Sequence, residues 1–169
     1  AHARRALSAA ELVRARELVA AGDTFEVAIE KTRTSNVFTT HTPVAAGNDE
    51  FPLWLIDKHL ATLWPELGLS RDQFMDLARH QESWGETFSM GILALRLAEG
   101  RNAVSELHGR VAQKMWNFLW PERAESDVPI TYVTNGVHTA NWIARRMRLL
   151  LDKHLGADWL ARLDDPDLW

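Results

Sequence analysis

A histidine follows directly on a short apolar stretch, and it is the first residue in the sequence that could do chemistry. Val37 to Thr40 is a run of β-branched and aromatic residues, which favours a buried strand. Thr42 and Pro43 come next, and the proline fixes its own φ and keeps the preceding residue extended. The backbone around His41 is therefore expected to be rigid. His41 could serve a functional loop or merely satisfy local hydrogen bonds at a strand end, and the spacing leaves both open.

A second polar turn follows the other convincing strand. Ile130–Val133 is again rich in β-branched residues and leads into Asn135-Gly136. Ligands of parallel α/β sheets bind at the carboxyl ends of the strands, so both turns are candidates for a site. Between them, Asn102 is predicted to cap a helix that runs towards Trp120-Pro121. The candidate residues are thus those at two strand ends and one helix start.

The periodicity of the rest predicts an α/β chain that is predominantly helical. Two strands, near Asn36–Thr40 and Ile130–Val133, are expected to point their carboxyl ends the same way. Capping boxes predict three helix starts, at Ser8 with Glu11, Asp23 with Glu26 and Ser70 with Gln73. Further helices are predicted from Pro52 to Trp64 and from Met90 to Leu97, whereas residues 80–87 have no clear period and are predicted to form a loop.

Composition sets limits on the partners. The chain has 169 residues, 46% of them hydrophobic, a formal net charge of −4 and no cysteine. One domain, or one piece of a domain, is expected. No cluster of lysine and arginine marks a nucleic-acid surface, no apolar run is long enough for a membrane span, and no signal peptide is apparent. The cytoplasm is therefore the default compartment.

Metal and nucleotide motifs are missing from the sequence. Its seven histidines include no His-Glu-x-x-His pattern and no pair at i, i+4, so no metal site is predicted. Neither a Gly-x-Gly-x-x-Gly pattern nor a P-loop occurs. Of the eight tryptophans, those on predicted helices are expected to pack in the core rather than to stack on sugars, namely Trp54, Trp64, Trp116 and Trp120.

Three motifs, in the same order along the chain, resemble those of one family. Thr39-Thr40-His41-Thr42-Pro43-Val44 with Gly47-Asn48-Asp49 is similar to the signature loop of the bacterial α-glucan phosphorylases, relatives of glycogen and maltodextrin phosphorylase. The stretch from Asn102 to Gly109 resembles the family's helix start beside the sugar pocket. Thr134-Asn135-Gly136-Val137-His138 with Trp142 resembles its Thr-Asn-Gly turn.

This resemblance implies a two-domain GT-B glycosyltransferase fold, of which the chain would be only an internal part. Residues 1–169 would form a single fragment, the later part of the N-terminal Rossmann-like catalytic domain up to the inter-domain junction. The family's Asn-Glu-Gly-His sequence is replaced here by Ala1-His2-Ala3-Arg4-Arg5. The role of His2 is therefore open.

The resemblance also implies a reaction and roles for residues. Family members cleave α-1,4-glucosidic bonds of glycogen or maltodextrin with phosphate and release glucose 1-phosphate through an oxocarbenium-like transition state. The backbone carbonyl of His41 would face the anomeric carbon, and its imidazole would bind the sugar's primary hydroxyl. Asn135 would bind sugar hydroxyls, Val104 would form a wall of the pocket, and His108 would orient neighbouring groups rather than contact the sugar.

The family's cofactor, pyridoxal phosphate, is bound through a lysine of the second domain. That lysine motif is absent here, because nothing resembling it surrounds Lys31, Lys58, Lys114 or Lys153. The resemblance thus implies half an active site, an inactive fragment, and exposed apolar surface through which the fragment could self-associate.

Two other functions remain open. A starch- or glycogen-synthase-like glycosyltransferase shares the two-domain architecture, and a non-catalytic glucan-binding module could use the tryptophans. The loop from Pro43 to Asp49 favours the phosphorylase. A downstream lysine motif would decide for the phosphorylase, and a nucleotide-sugar site would decide for the synthase.

Overall fold

A computed structural model describes residues 2–42, 44 and 47–168 of the chain, with side chains from residue 10 onward. The chain divides into two compact units, one ending at Thr134 and the other starting at Asn135. The described strands all lie in the first unit. They are β1 (Val37–Thr40), β2 (Glu50–Pro52), β3 (Arg79–Glu82), β4 (Gly85–Ser89), β5 (Gly100–Ala103) and β6 (Thr131–Tyr132).

Helices make up most of the remaining described chain. The first unit contains α1 (His2–Ala20), α2 (Phe25–Arg33), α3 (Leu53–Leu60), α4 (Leu63–Glu66), α5 (Arg71–Asp76), α6 (Met90–Leu97) and α7 (Glu106–Trp116). The second unit contains α8 (Thr139–Trp142) and α9 (Arg145–Leu155). None of the described helices is both long and apolar enough to cross a membrane.

A parallel sheet positions the residues of the candidate site. Its strand order is β1-β5-β6, with Val37 opposite Gly100 and Ala103 opposite Tyr132. Both predicted strands are confirmed, and they point the same way. The strand between them was not predicted, because Gly-Arg-Asn-Ala has none of the β-branched or aromatic residues that indicate a strand. Its pairing with two neighbours determines its conformation.

The predicted helix cap at Asn102 is therefore wrong. Asn102 lies inside β5, and α7 starts three residues later than that cap would require. The cap is Ser105, whose hydroxyl oxygen accepts a hydrogen bond from the backbone N–H of His108 at 3.2 Å. Serine and asparagine are both good caps, so cap preference does not distinguish Ser105 from Asn102. Asn102 does not cap the helix because it is paired within β5.

Residues 80–87, predicted to be a loop, instead form most of a β-hairpin. Strands β3 and β4 pair antiparallel, β2 pairs with the other side of β4, and together they form a sheet of order β2-β4-β3. Only one end of β4 reaches the core, where Thr87, Phe88 and Ser89 are buried. The outer strand, β3, consists of charged and polar residues. It therefore lacks the alternating hydrophobic pattern by which a strand is predicted from sequence.

Two of the three predicted capping boxes are wrong. Helix α1 extends through Ser8, so this residue does not start it. Helix α2 is capped by Thr24 rather than Asp23, whose carboxylate instead binds Lys31 Nζ at 2.7 Å. The box at Ser70 and Gln73 is confirmed, with both reciprocal hydrogen bonds present.

Helix α6 joins two apolar clusters of the first unit. Leu93 and Leu97 pack with α1, α2, α3 and α5 on one side, and Ile92 and Leu95 pack with β5 and α7 on the other. Phe74 and Phe88 stack inside the first cluster with ring centroids 5.6 Å apart. This helix fixes the parallel sheet relative to the helices around it.

The tryptophans follow the core prediction with one exception. Trp116 is buried, and Trp64 and Trp120 are half-buried against the clusters. Trp54 is 62% exposed, so its assignment to the core was wrong. In the second unit, Trp159 is fully buried, and its indole N–H donates to Asp152 Oδ1 at 2.8 Å.

Glu11 on α1 gives the stability of the protein a pH dependence. Its Oε2 is buried without a hydrogen-bond partner among the described side chains. Burial raises the pKa of Glu11 to about 7, against a smaller lowering by Arg14. The folded state therefore binds the proton of Glu11 more tightly than the unfolded state does. The stability that this protonation contributes is complete below about pH 4.5 and is lost as the pH rises through 7.

Glu11→Gln is therefore expected to stabilise the protein at pH 8 by about 1–3 kcal/mol, and to have little effect near pH 4.5. Urea denaturation at both pH values measures the difference. Glu17→Gln, at an exposed position of the same helix, is the matched control. Equal behaviour of the two variants at pH 8 would contradict the assignment.

Candidate functional site

The candidate site lies at the carboxyl edge of the parallel sheet in the first unit. His41 follows β1, Val104 follows β5, and these two strands are adjacent and parallel. His41 is exposed, whereas Val104 is half-buried. The structure therefore places these two predicted site residues at neighbouring strand ends, which is where open α/β sheets bind ligands.

The strand that leads to His41 is fixed to its neighbour by side chains as well as by backbone. Thr39 lies opposite Asn102, and its hydroxyl donates to Asn102 Oδ1 at 2.9 Å. The amide of Asn102 in turn donates to the carbonyl of Ala103 at 3.3 Å. Thr40, the residue before His41, is only 1% exposed. Asn102 thus helps to position the loop, a role that sequence reasoning missed.

Hydrogen bonds hold the described residues of the loop after His41. Pro43, predicted to rigidify it, falls outside the described residues. Beyond it, the N–H of Gly47 donates to the carbonyl of Val44 at 3.1 Å, and the Asn48 amide donates to the same carbonyl at 3.4 Å. The carbonyl of Asp49 then accepts from the N–H of Met90 at 2.9 Å, at the start of α6. The loop is therefore anchored at both ends to buried elements.

Gly47 fits this loop because it has no side chain. A Cβ atom there would overlap Cγ2 of Thr42, closer than any normal contact. Gly47→Ala is therefore expected to strain the loop and destabilise the protein by about 1–3 kcal/mol. Thermal unfolding measures this loss, and Gly136→Ala, where nothing lies within 4 Å of the added atom, should be nearly neutral.

A double variant makes the Gly47 prediction specific. Thr42→Ser removes the Cγ2 atom, so adding it to Gly47→Ala should restore much of the lost stability. A double variant no more stable than Gly47→Ala would contradict the close approach as the cause.

Helix α7 begins at the same edge of the sheet. It follows β5 directly, so its positively polarised N-terminus faces the carboxyl side of the strands. His108 lies in the first turn of the helix and is only 8% exposed, so little of its side chain is accessible to a substrate. Gly109 packs against Tyr132 of β6, with 3.4 Å between the position of an added Cβ and Cβ of Tyr132. His108 is thus a buried residue of α7, next to the glycine that packs against β6.

Asn135, the third predicted site residue, belongs to the second unit. The last pairing of β6 is the hydrogen bond from the N–H of Val133 to the carbonyl of Ala103, at 2.8 Å. Asn135 follows in an exposed segment without regular structure, and α8 starts after His138, whose carbonyl accepts from the N–H of Trp142 at 3.1 Å. The Thr-Asn-Gly turn is therefore an exposed connection, as its sequence indicates.

Curated proteins match the chain over most of its length. It is 36% identical over 160 residues to the maltodextrin phosphorylase of Thermococcus litoralis, which is 88% of this chain and 18% of that protein. It is 40% identical over 165 residues to the glycogen phosphorylase of Mycobacterium tuberculosis, 92% of this chain and 18% of that protein. The glycogen phosphorylase of Aquifex aeolicus is 36% identical over 153 residues, 90% of this chain and 22% of that protein.

No protein-family model matches the chain. The fold defines an α/β protein with a parallel sheet, and the motif-bearing residues His41 and Val104 follow two of its strands. The chain belongs to the family of glycogen and maltodextrin phosphorylases, and it spans about a fifth of the length of the relatives it matches.

Proposed function

We propose that this chain is a segment of an α-1,4-glucan phosphorylase and supplies part of its glucosyl-binding site. The main support for this proposal is that the motif residues His41 and Val104 follow adjacent parallel strands. The chain that contains them is 36–40% identical to proteins named as phosphorylases. The reaction is the cleavage of glycogen or maltodextrin by phosphate to glucose 1-phosphate.

In this proposal, residues 1–169 are the later part of an N-terminal Rossmann-like domain of a GT-B enzyme, reaching the inter-domain junction. The parallel sheet β1-β5-β6 supports it, because such sheets form the core of Rossmann-like domains. The division of the chain at Thr134 agrees with a junction near the Thr-Asn-Gly turn.

The proposed chemistry relies on dipoles rather than on a protein acid. As the glucosidic bond breaks, positive charge develops on the anomeric carbon, and a carbonyl oxygen fixed nearby stabilises it without reorganising. We assign this role to the backbone carbonyl of His41, since the loop that holds it is anchored at β1 and at Met90. The imidazole of His41 would bind the primary hydroxyl of the sugar.

Two further residues would complete the sugar contacts from this chain. Asn135 would bind sugar hydroxyls, because an amide both donates and accepts hydrogen bonds. Val104 would form an apolar wall. His108 would act indirectly, and its burial on α7 supports a positioning role over contact with sugar.

Pyridoxal phosphate would supply proton transfer through its phosphate when bound, but the lysines of this chain do not fit its attachment. A lysine that forms a Schiff base is usually buried, which lowers its pKa. Here every lysine is exposed on a helix, at positions 31, 58, 114 and 153. We therefore propose that the attachment lysine lies elsewhere in the full-length enzyme.

A product assay on the full-length protein tests this function. Incubation with maltodextrin and phosphate should release glucose 1-phosphate, and omission of phosphate should stop the release. Glucan extension from a nucleotide sugar, with no phosphate-dependent product, would instead identify a synthase-like enzyme. Retention on immobilised glucan without either reaction would identify a binding module.

A further inference from the structure

Three side chains that sequence reasoning did not connect converge on one face of the antiparallel sheet. His80 and Glu82 are two residues apart on β3 and so share a face, and Glu50 reaches the same place from β2. Their candidate ligand atoms all lie within 4.8 Å of one another. Nδ1 of His80 is 3.1 Å from Oε1 of Glu50 and 3.5 Å from Oε1 of Glu82.

The two distances from Nδ1 of His80 match those between atoms bound to one metal ion. With bonds of about 2.1 Å, neighbouring ligand atoms stand about 3.0 Å apart in octahedral and about 3.4 Å apart in tetrahedral coordination. The side chains of Glu50, His80 and Glu82 are 15%, 25% and 31% exposed. They are thus shielded enough for coordination to compete with water, yet an ion can still enter.

The charge of the cluster also favours a cation. Two carboxylates meet a single imidazole, and in the described part of the chain neither has a lysine or arginine within 4.0 Å. Arg79 lies on the opposite face of β3 and is bound there by Asp76 and Glu86, at 2.7 and 2.8 Å. The cluster therefore carries net negative charge in a half-buried place, which a divalent ion would neutralise.

The surrounding side chains orient the ligands. Thr87 is fully buried on β4 between the other two strands, and its hydroxyl donates to Oε2 of Glu50 at 2.7 Å, leaving Oε1 towards His80. The ring of Phe118 stacks on the imidazole with centroids 5.3 Å apart and an angle of 17°. Such outer contacts fix ligand orientation in metal sites.

We propose that Glu50, His80 and Glu82 bind one divalent transition-metal ion of the Zn²⁺ type. The imidazole among the ligands favours Zn²⁺ or Co²⁺ over Mg²⁺, which prefers oxygen ligands only. The role is structural. Glu50 follows the His41 loop directly, so the ion joins the far end of that loop to the β3–β4 hairpin, independently of whether the protein is a phosphorylase.

Metal titration of the purified protein tests the proposal. Zn²⁺ binding by calorimetry and Co²⁺ binding by visible absorbance should each give one site per chain, and excess Mg²⁺ should not displace the ion. Glu82→Gln should weaken binding at least tenfold, because even loss of an outer contact costs 10–100-fold. Thr87→Val, which removes such an outer contact, should fall in that range.

Matched controls separate this site from adventitious binding. Glu86→Gln changes a carboxylate on the opposite face of the same hairpin, and His59→Gln changes an exposed histidine of α3. Both should bind within threefold of the unchanged protein, whereas His80→Gln should lose the site, with circular dichroism confirming that all variants are folded. Equal affinities for Glu82→Gln and Glu86→Gln, or no stoichiometric site in the unchanged protein, would overturn the proposal and leave His80 as a hydrogen-bonded bridge between carboxylates.

Discussion

The isolated 169-residue chain is expected to release no glucose 1-phosphate from maltodextrin and phosphate, even when pyridoxal phosphate is added. The proposed site needs a cofactor phosphate to move a proton, and no lysine of this chain is placed to hold that cofactor. The sequence also contains no P-loop that could bind the phosphate. We therefore expect phosphorolysis by the isolated chain to be absent, not merely reduced.

The assay for this prediction compares three samples in a coupled measurement of glucose 1-phosphate. They are the isolated chain with cofactor, the same sample after heat denaturation, and the full-length protein as a positive control. Product from the native chain above the denatured sample, and lowered by His41→Ala, would show that the chain is catalytically complete and that the proposal of a partial site is wrong.

The strands illustrate how far the sequence predicts the fold. Val37–Thr40 was recognised because its residues are typical of strands, and Thr131–Tyr132 lies within a predicted strand for the same reason. Gly100–Ala103 was missed because its conformation comes from pairing with both of these strands, which lie far from it along the chain. The residue types within one short stretch do not show which distant strands it pairs with.

The candidate site shows the same division between local and distant information. His41, Val104 and Asn135 were identified from contiguous motifs, and the structure places the first two at adjacent strand ends. The bond between Thr39 and Asn102 could not be predicted while Asn102 was assigned to a helix cap. The cluster of Glu50 with His80 and Glu82 joins residues 30 positions apart, and only the antiparallel sheet brings them together.

His41→Ala in the full-length enzyme is expected to lower kcat/KM roughly tenfold to a few hundredfold. If the imidazole contributes one hydrogen bond to a sugar hydroxyl, its removal costs about 1–3 kcal/mol. The backbone carbonyl, which we expect to stabilise the developing charge, is retained in alanine. If the imidazole were instead the proton donor or acceptor, a further factor of about 10²–10⁴ would be lost.

The most direct test of the proposed site is kcat/KM for phosphorolysis across pH, measured for His41→Ala and Asn135→Ala in the full-length enzyme. His59→Ala, at an exposed position of α3, serves as the control and should match the unchanged enzyme. We predict that both site variants fall roughly tenfold to a few hundredfold with the shape of the pH profile and the cofactor absorbance unchanged. A loss beyond about five orders of magnitude for His41→Ala, with one limb of the profile removed, would show that its side chain transfers the proton. No loss in either variant would show that the strand ends do not bind the sugar.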